Sequence, residues 1–136
     1  MCKRQTGEQR RGIRSKILES IAKRDFRALF MEGGCQFYVL ALQEQLGLPL
    51  FYFSISYRDD HSHVFAMRDG ACFDYEGKKD LASVAAKYSL CRDEPPKPVT
   101  PDKIRKVLAQ CDIADLETEV MRIARTELAQ RSSLYD

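Results

Sequence analysis

The stretch His63-Val64-Phe65-Ala66-Met67-Arg68-Asp69-Gly70-Ala71-Cys72-Phe73-Asp74-Tyr75-Glu76 decides the fold of this chain. Two short apolar runs flank Asp69-Gly70, and Asp-Gly in that setting is the strongest local signal for a two-residue hairpin turn. Under such a turn Arg68 lies opposite Ala71, Met67 opposite Cys72, Phe65 opposite Asp74 and His63 opposite Glu76. Side chains alternate along a strand, so His63, Phe65 and Met67 share a face with Cys72, Asp74 and Glu76. Val64, Ala66, Phe73 and Tyr75 then form the opposite, uniformly apolar face, the one for a helix to cover.

Working outward, Leu50 to Tyr57 is rich in aromatic and β-branched residues and reads as another strand, followed by the polar loop Arg58-Asp59-Asp60. Upstream, Cys35 to Leu46 has helical periodicity through Phe37, Val39, Leu40, Leu42 and Leu46, and it reads as buried nearly all round. Gly33-Gly34 precede this helix and Gly47 supplies its stop. From Gly12 to Met31 apolar residues recur at three- and four-residue steps, which predicts an amphipathic helix with a break near Asp25.

Downstream, Asp80 to Leu90 reads as a helix, and Pro95-Pro96-Lys97-Pro98 as an extended connector. Thr100-Pro101 is a helix start, with Thr as N-cap and Pro at the first helical position, and the helix runs to about Cys111. A last helix is expected from Ile113 to Gln130. The expectation is one α+β domain over residues 1–136: an N-terminal helix to residue 32, a core at 33–77 with a helix packed on a small antiparallel sheet, and a helical part at 78–136.

Composition bounds the function. A chain of 136 residues with 44% hydrophobic residues buries one substantial core. Its 22 basic and 20 acidic residues leave a formal net charge of +2, which creates no global field for nucleic acid or a membrane. The basic segment carrying Lys3, Arg4, Arg10, Arg11, Arg14 and Lys16 reads as a solvated helix flank. No apolar run approaches the roughly 20 residues of a transmembrane helix, and Met1 to Arg14 lacks the apolar centre of a secretory signal. Five cysteines at irregular spacing suit a reducing compartment better than a disulfide framework, so a cytoplasmic site of action is expected, in its own cell or in a target cell.

Three residue types needed for cysteine acyl transfer stand in a suggestive order. Cys35 opens its helix, where unpaired N–H groups and the positive end of the helix dipole favour thiolate over thiol. His63 and Asp74 are diagonal neighbours across the hairpin, at a backbone separation of roughly 7–8 Å that their side chains can bridge. Asp74 would orient the imidazole, leaving the other ring nitrogen for the thiol proton. Glu76, directly opposite His63, competes for that role, and His61 is an alternative base of the same parity. The N–H groups of Cys35 and Gln36 point where an oxyanion would develop. His61-Ser62-His63 with Cys35 or Cys72 contains zinc-ligand types, but no Cys-x-x-Cys or spaced His set accompanies them, so neither metal nor cofactor is expected.

The order Gly-Gly-Cys before a helix, then a strand, then Ser-His-Val-Phe and Asp-Gly-Ala-Cys-Phe-Asp-Tyr-Glu-Gly resembles small bacterial and phage members of the papain-like and transglutaminase-like cysteine acyltransferase superfamily. The resemblance covers roughly Gly33 to Gly77. It implies a papain-like fold, Cys35 as nucleophile, His63 as base and Asp74 as orienting carboxylate, with a protein or peptide substrate. No Trp follows the Cys or the His, as it does in many members; Phe37 and Phe65 stand nearby instead. The rival reading is a catalytically silent binding or adaptor protein that presents its C-terminal helices to a protein partner.

Overall fold

The computed structural model describes residues 7–54, 61–88 and 95–136. Among them lie six α-helices and a five-stranded antiparallel sheet, an α+β arrangement. The helices are α1 (Gly7–Ala22), α2 (Phe26–Glu32), α3 (Cys35–Leu46), α4 (Leu81–Tyr88), α5 (Pro101–Gln110) and α6 (Glu117–Gln130). The strands are β1 (Leu50–Ser54), β2 (His61–Arg68), β3 (Ala71–Asp74), β4 (Gly77–Asp80) and β5 (Lys97–Val99), and their order across the sheet is β4-β3-β2-β1-β5.

The hairpin forms in the expected register, with Arg68 paired to Ala71, Met67 to Cys72 and Ala66 to Phe73. Asp69 and Gly70 have φ of +53° and +80°, the left-handed pair that a two-residue turn matched to strand twist requires. The two faces separate as the alternation dictates. Val64, Ala66, Phe73 and Tyr75 join the main core beneath α3. Phe53, Phe65 and Cys72 pack on the other side against Val84 and Ala85 of α4.

Helix α3 is the axis of the molecule. Phe37 to Leu42 are six consecutive buried residues, which a helix permits only when neighbours surround it. The sheet lies on one side of α3, with α2, α5 and α6 around the rest. Each large apolar side chain buried there contributes about 1.5–3 kcal/mol. Gly47, at φ +69°, ends the helix in the left-handed conformation and returns its N–H to Gln43 O at 2.9 Å.

The long N-terminal amphipathic pattern is two helices. Arg24 at φ +54° breaks it, and the Asp25 carboxylate then accepts the Ala28 N–H at 3.2 Å to start α2. The region beyond Gly77, expected to hold helices and a connector, supplies two further strands. Gly77–Asp80 lacks an apolar alternation because it is an edge strand, and turn geometry places it: Gly77 adopts φ +101° and Asp74 pairs with Gly77. The proline-rich connector becomes the other edge, with Pro98 opposite Phe51; proline is tolerated there because one side of an edge strand needs no N–H. The helix expected at Asp80 to Leu90 begins after Asp80, whose carboxylate accepts the Ser83 N–H at 2.9 Å. The α5 start is as read, with Thr100 Oγ1 accepting the Lys103 N–H. A 3-10 turn at Ala114–Leu116 occupies the expected beginning of the last helix.

No described helix is long and apolar enough to cross a membrane. Cys2 and Cys91 lie outside the described residues, as do Ile55 to Asp60 and the end of the helix expected at Leu90. Cys35 and Cys72 are free thiols, whereas Cys111 is disulfide-bonded, so the set is not uniformly reduced as its irregular spacing suggested.

Candidate active site

The sequence places Cys35 at the first residue of α3, and the two glycines before it have separate tasks. The Gly33 N–H closes α2 on Leu29 O. Gly34 passes so close to the end of α2 that a Cβ there would stand 2.7 Å from Leu29 O, while its N–H bonds the same oxygen at 2.7 Å. Only glycine permits this approach, and the approach aims α3. The first intrahelical bonds run from the Phe37 and Tyr38 N–H groups to Gly34 O, so the N–H groups of Cys35 and Gln36 lie ahead of the helical ladder. Cys35 is half-buried, and its thiol donates to Gln36 Oε1 at 3.5 Å.

His63 lies just inside a β-bulge. Phe53 pairs with His63 and Ser54 with His61, which leaves Ser62 as the extra residue. The His63 side chain is 1% exposed and its ring stacks beside that of Phe65, with centroids 6.1 Å apart. Its Nε2 meets Asp74 Oδ2 at 3.0 Å, and the Cys35 sulfur lies near enough to raise the proton affinity of the ring. With Nε2 taken by the carboxylate, Nδ1 is the nitrogen left for sulfur. Cys35, His63 and Asp74 are therefore brought together, His63 and Asp74 by one hairpin and Cys35 by a helix that begins 28 residues before His63.

Asp74 is 3% exposed and its carboxylate is fully engaged. Besides the imidazole, Oδ2 accepts Lys79 Nζ at 3.1 Å, and Oδ1 accepts the Glu76 N–H at 2.8 Å. Burial pushes its proton affinity up, but the His63 and Lys79 partners outweigh that and hold it below the ordinary carboxylate range. For His63, burial likewise favours the neutral ring; the hydrogen bonds and charges of Asp74 and Cys35 override it and pull the imidazole up to about 9.

Glu76 does not stand opposite His63. The chain leaves the β2–β3 ladder after Asp74 and turns at Tyr75-Glu76 into β4, so Glu76 points instead to Lys79 of β4 and Arg27 of α2. Parity along an unbroken strand could not anticipate a second turn. The side chain of His61 lies outside the described residues. Cys72, on the Asp74 face by register, is buried among Phe65 and Val84; burial pushes its thiol up to about 11, with the Asp74 and Asp80 charges adding to the effect. Among the described residues no group of three His, Cys, Asp or Glu side chains is placed to hold a metal ion.

Two supports of the site were invisible to the hairpin argument. Lys79 is one; reading Tyr75-Glu76 as a further two-residue turn would have placed it opposite Cys72, on the Asp74 side of the sheet. The other is the 3-10 turn Ser132–Tyr135. The buried Tyr135 hydroxyl donates to Asp74 O at 2.7 Å and accepts from the Tyr38 hydroxyl at 2.8 Å. Arg131 covers the Tyr75 ring at 4.1 Å and donates to Tyr75 O. These contacts clamp the backbone that carries the carboxylate, and no local pattern near Tyr135 announces them.

Comparison of the chain with protein-family models, with curated proteins and with solved structures gives no match.

Proposed function

We propose that this protein is a papain-like thiol acyltransferase that cleaves an amide of a protein or peptide through a thioester on Cys35, in peptide hydrolysis or glutamine deamidation. The observation that supports the reading is the grouping of Cys35, His63 and Asp74, with the thiol half-buried at a helix start and both partners buried. A buried histidine held protonated by a carboxylate on one side and facing a thiol on the other is the arrangement that stores a nucleophile as an ion pair.

In the resting ion pair His63 already holds the Cys35 proton, and in the first half-reaction the sulfur attacks the amide carbon to form the C–S bond. The oxyanion that results lies toward the Cys35 and Gln36 N–H groups at the helix start. Collapse of this intermediate breaks the C–N bond, and His63 gives its proton to the departing amine or ammonia. In the second half-reaction His63 takes a proton from water as the water oxygen adds to the thioester. The C–S bond then breaks, releasing the carboxylic acid and restoring Cys35. Asp74 keeps the ring oriented and balances its charge in both halves without itself accepting the proton. The site as read requires no metal or cofactor.

Iodoacetamide titration at pH 6 to 7 tests the reading. Cys35 should be alkylated well ahead of Cys72, whose thiol is buried, and that preference should collapse in His63→Ala. Slow, uniform labelling in the wild-type protein would instead favour a silent adaptor that keeps the fold and acts through its helices.

A further inference from the structure

Beyond these three residues, the carboxylate of Asp74 is the end of a longer series of alternating charges. Arg27 of α2 bonds Glu76, Glu76 bonds Lys79, and Lys79 Nζ bonds Asp74 Oδ2, the same oxygen that receives His63 Nε2. Lys79 is largely buried, at 23% side-chain exposure, and Glu76 is similar at 26%, so neither pairing is an ordinary solvated surface contact. Arg27, at 64%, is the solvent end. We propose that Lys79 is a positioning residue that divides the charge of Asp74 between itself and His63, and that Glu76, braced by Arg27, governs the size of that share. The inference rests on the acyl-transfer reading for its purpose, but its geometry stands apart from whether the thiol reacts.

The physical argument is competition at one oxygen. Two cations bound to Oδ2 each see less of its charge than either would alone, and Glu76 relieves the competition by drawing Lys79 toward itself. His63 faces Cys35 from α3 and Asp74 from β3; Asp74 also receives the Glu76 N–H, while the Tyr135 hydroxyl fixes its carbonyl. Lys79 faces Asp74 and Glu76, with Cys72 its pair across the sheet. The device tunes the imidazole: too firm a hold by Asp74 would make His63 a poor donor to the leaving amine, and too weak a hold would leave the ring without the proton it has to deliver.

The test is the titration midpoint of the His63 ring followed by NMR, a quantity that does not depend on turnover. The chain has 2 histidines, so His63→Asn identifies the signal. In Lys79→Met the midpoint should rise by about one pH unit, as expected for loss of a unit charge about 6 Å away at an effective dielectric constant of about 40. In Glu76→Gln it should fall, by a smaller amount, and Lys79→Arg should restore the wild-type value. Lys78→Met, an exposed neighbour on the same strand, should leave it in place. Shifts of the same sign in Lys79→Met and Glu76→Gln, or an equal shift in Lys78→Met, would overturn the inference. If the midpoints move as expected while Cys35 stays unreactive, the charge series holds and the acyl-transfer reading fails; the reverse pattern separates them the other way.

Discussion

Replacing Asp74 by Asn keeps the shape of the side chain and removes its charge, which isolates what the carboxylate does for His63. The amide has one acceptor where the carboxylate has two. If its oxygen stays with the Glu76 N–H at the Oδ1 position, the NH2 group faces both His63 Nε2 and Lys79 Nζ. His63 then has to accept at Nε2 and carry its proton on Nδ1, toward sulfur, the wrong tautomer for a base. The magnitude follows from the imidazole itself. It is held at about 9 against an ordinary value of 6.5 in spite of burial, the largest influence and one that acts downward. Losing the anion should return it to 6.5 or lower, a roughly 300-fold weakening of proton binding, or about 3 kcal/mol. Cys35 alkylation at pH 6.5 should slow by about one to two orders of magnitude. Urea unfolding monitored alongside should show a loss of about 3 kcal/mol, the low end for breaking a buried pair, because Lys79 retains Glu76 as a partner. The assay is the His63 ring titration together with the alkylation rate, on protein confirmed as folded by near-UV circular dichroism. A His63 midpoint still near 9 with an unchanged alkylation rate would refute the reasoning.

In Gly34→Ala the new methyl meets a backbone carbonyl that cannot yield, so stability should drop by about 1–3 kcal/mol in urea titration and Cys35 labelling should slow; unaltered behaviour in both would mean that the α2–α3 approach is looser than described. Tyr135→Phe removes the donor to Asp74 O and leaves the Tyr38 hydroxyl without its acceptor, which should cost about 1–3 kcal/mol and reduce Cys35 reactivity despite the distance along the chain. Stability should also depend on pH in a defined direction. His63 holds its proton more tightly folded than unfolded, so its contribution is complete below about 6.5 and is lost as pH rises through about 9. Asp74, held low, contributes above its unfolded value of 3.8, and that contribution is lost as pH falls through its lower folded value. Thermal unfolding between pH 6.5 and 9 should show a declining midpoint in the wild type, and the decline should flatten in His63→Asn.

The amino-acid sequence by itself determined the parts of the site that depend on local rules. Asp69-Gly70 can form the tight turn only with both residues at positive φ, and once the turn is set, strand parity puts His63 and Asp74 within side-chain reach and sorts the two faces. Gly33-Gly34 before an apolar run marks the helix start at Cys35, because helix boundaries are written in neighbouring residues. Tertiary structure alone decided the rest. That Glu76 leaves the ladder, that Lys79 shares the Asp74 oxygen, that a proline segment pairs as an edge strand and that Tyr135 clamps the strand from 61 residues away all depend on where the chain returns after a turn. Hydrophobic alternation carries no record of such returns, since edge strands, surface charges and single hydroxyl contacts bury too little apolar surface to leave a periodic pattern. The meeting of Cys35 with His63 belongs to both levels. The helix start and the strand position are local, but only the packing of α3 on the sheet brings sulfur to the ring.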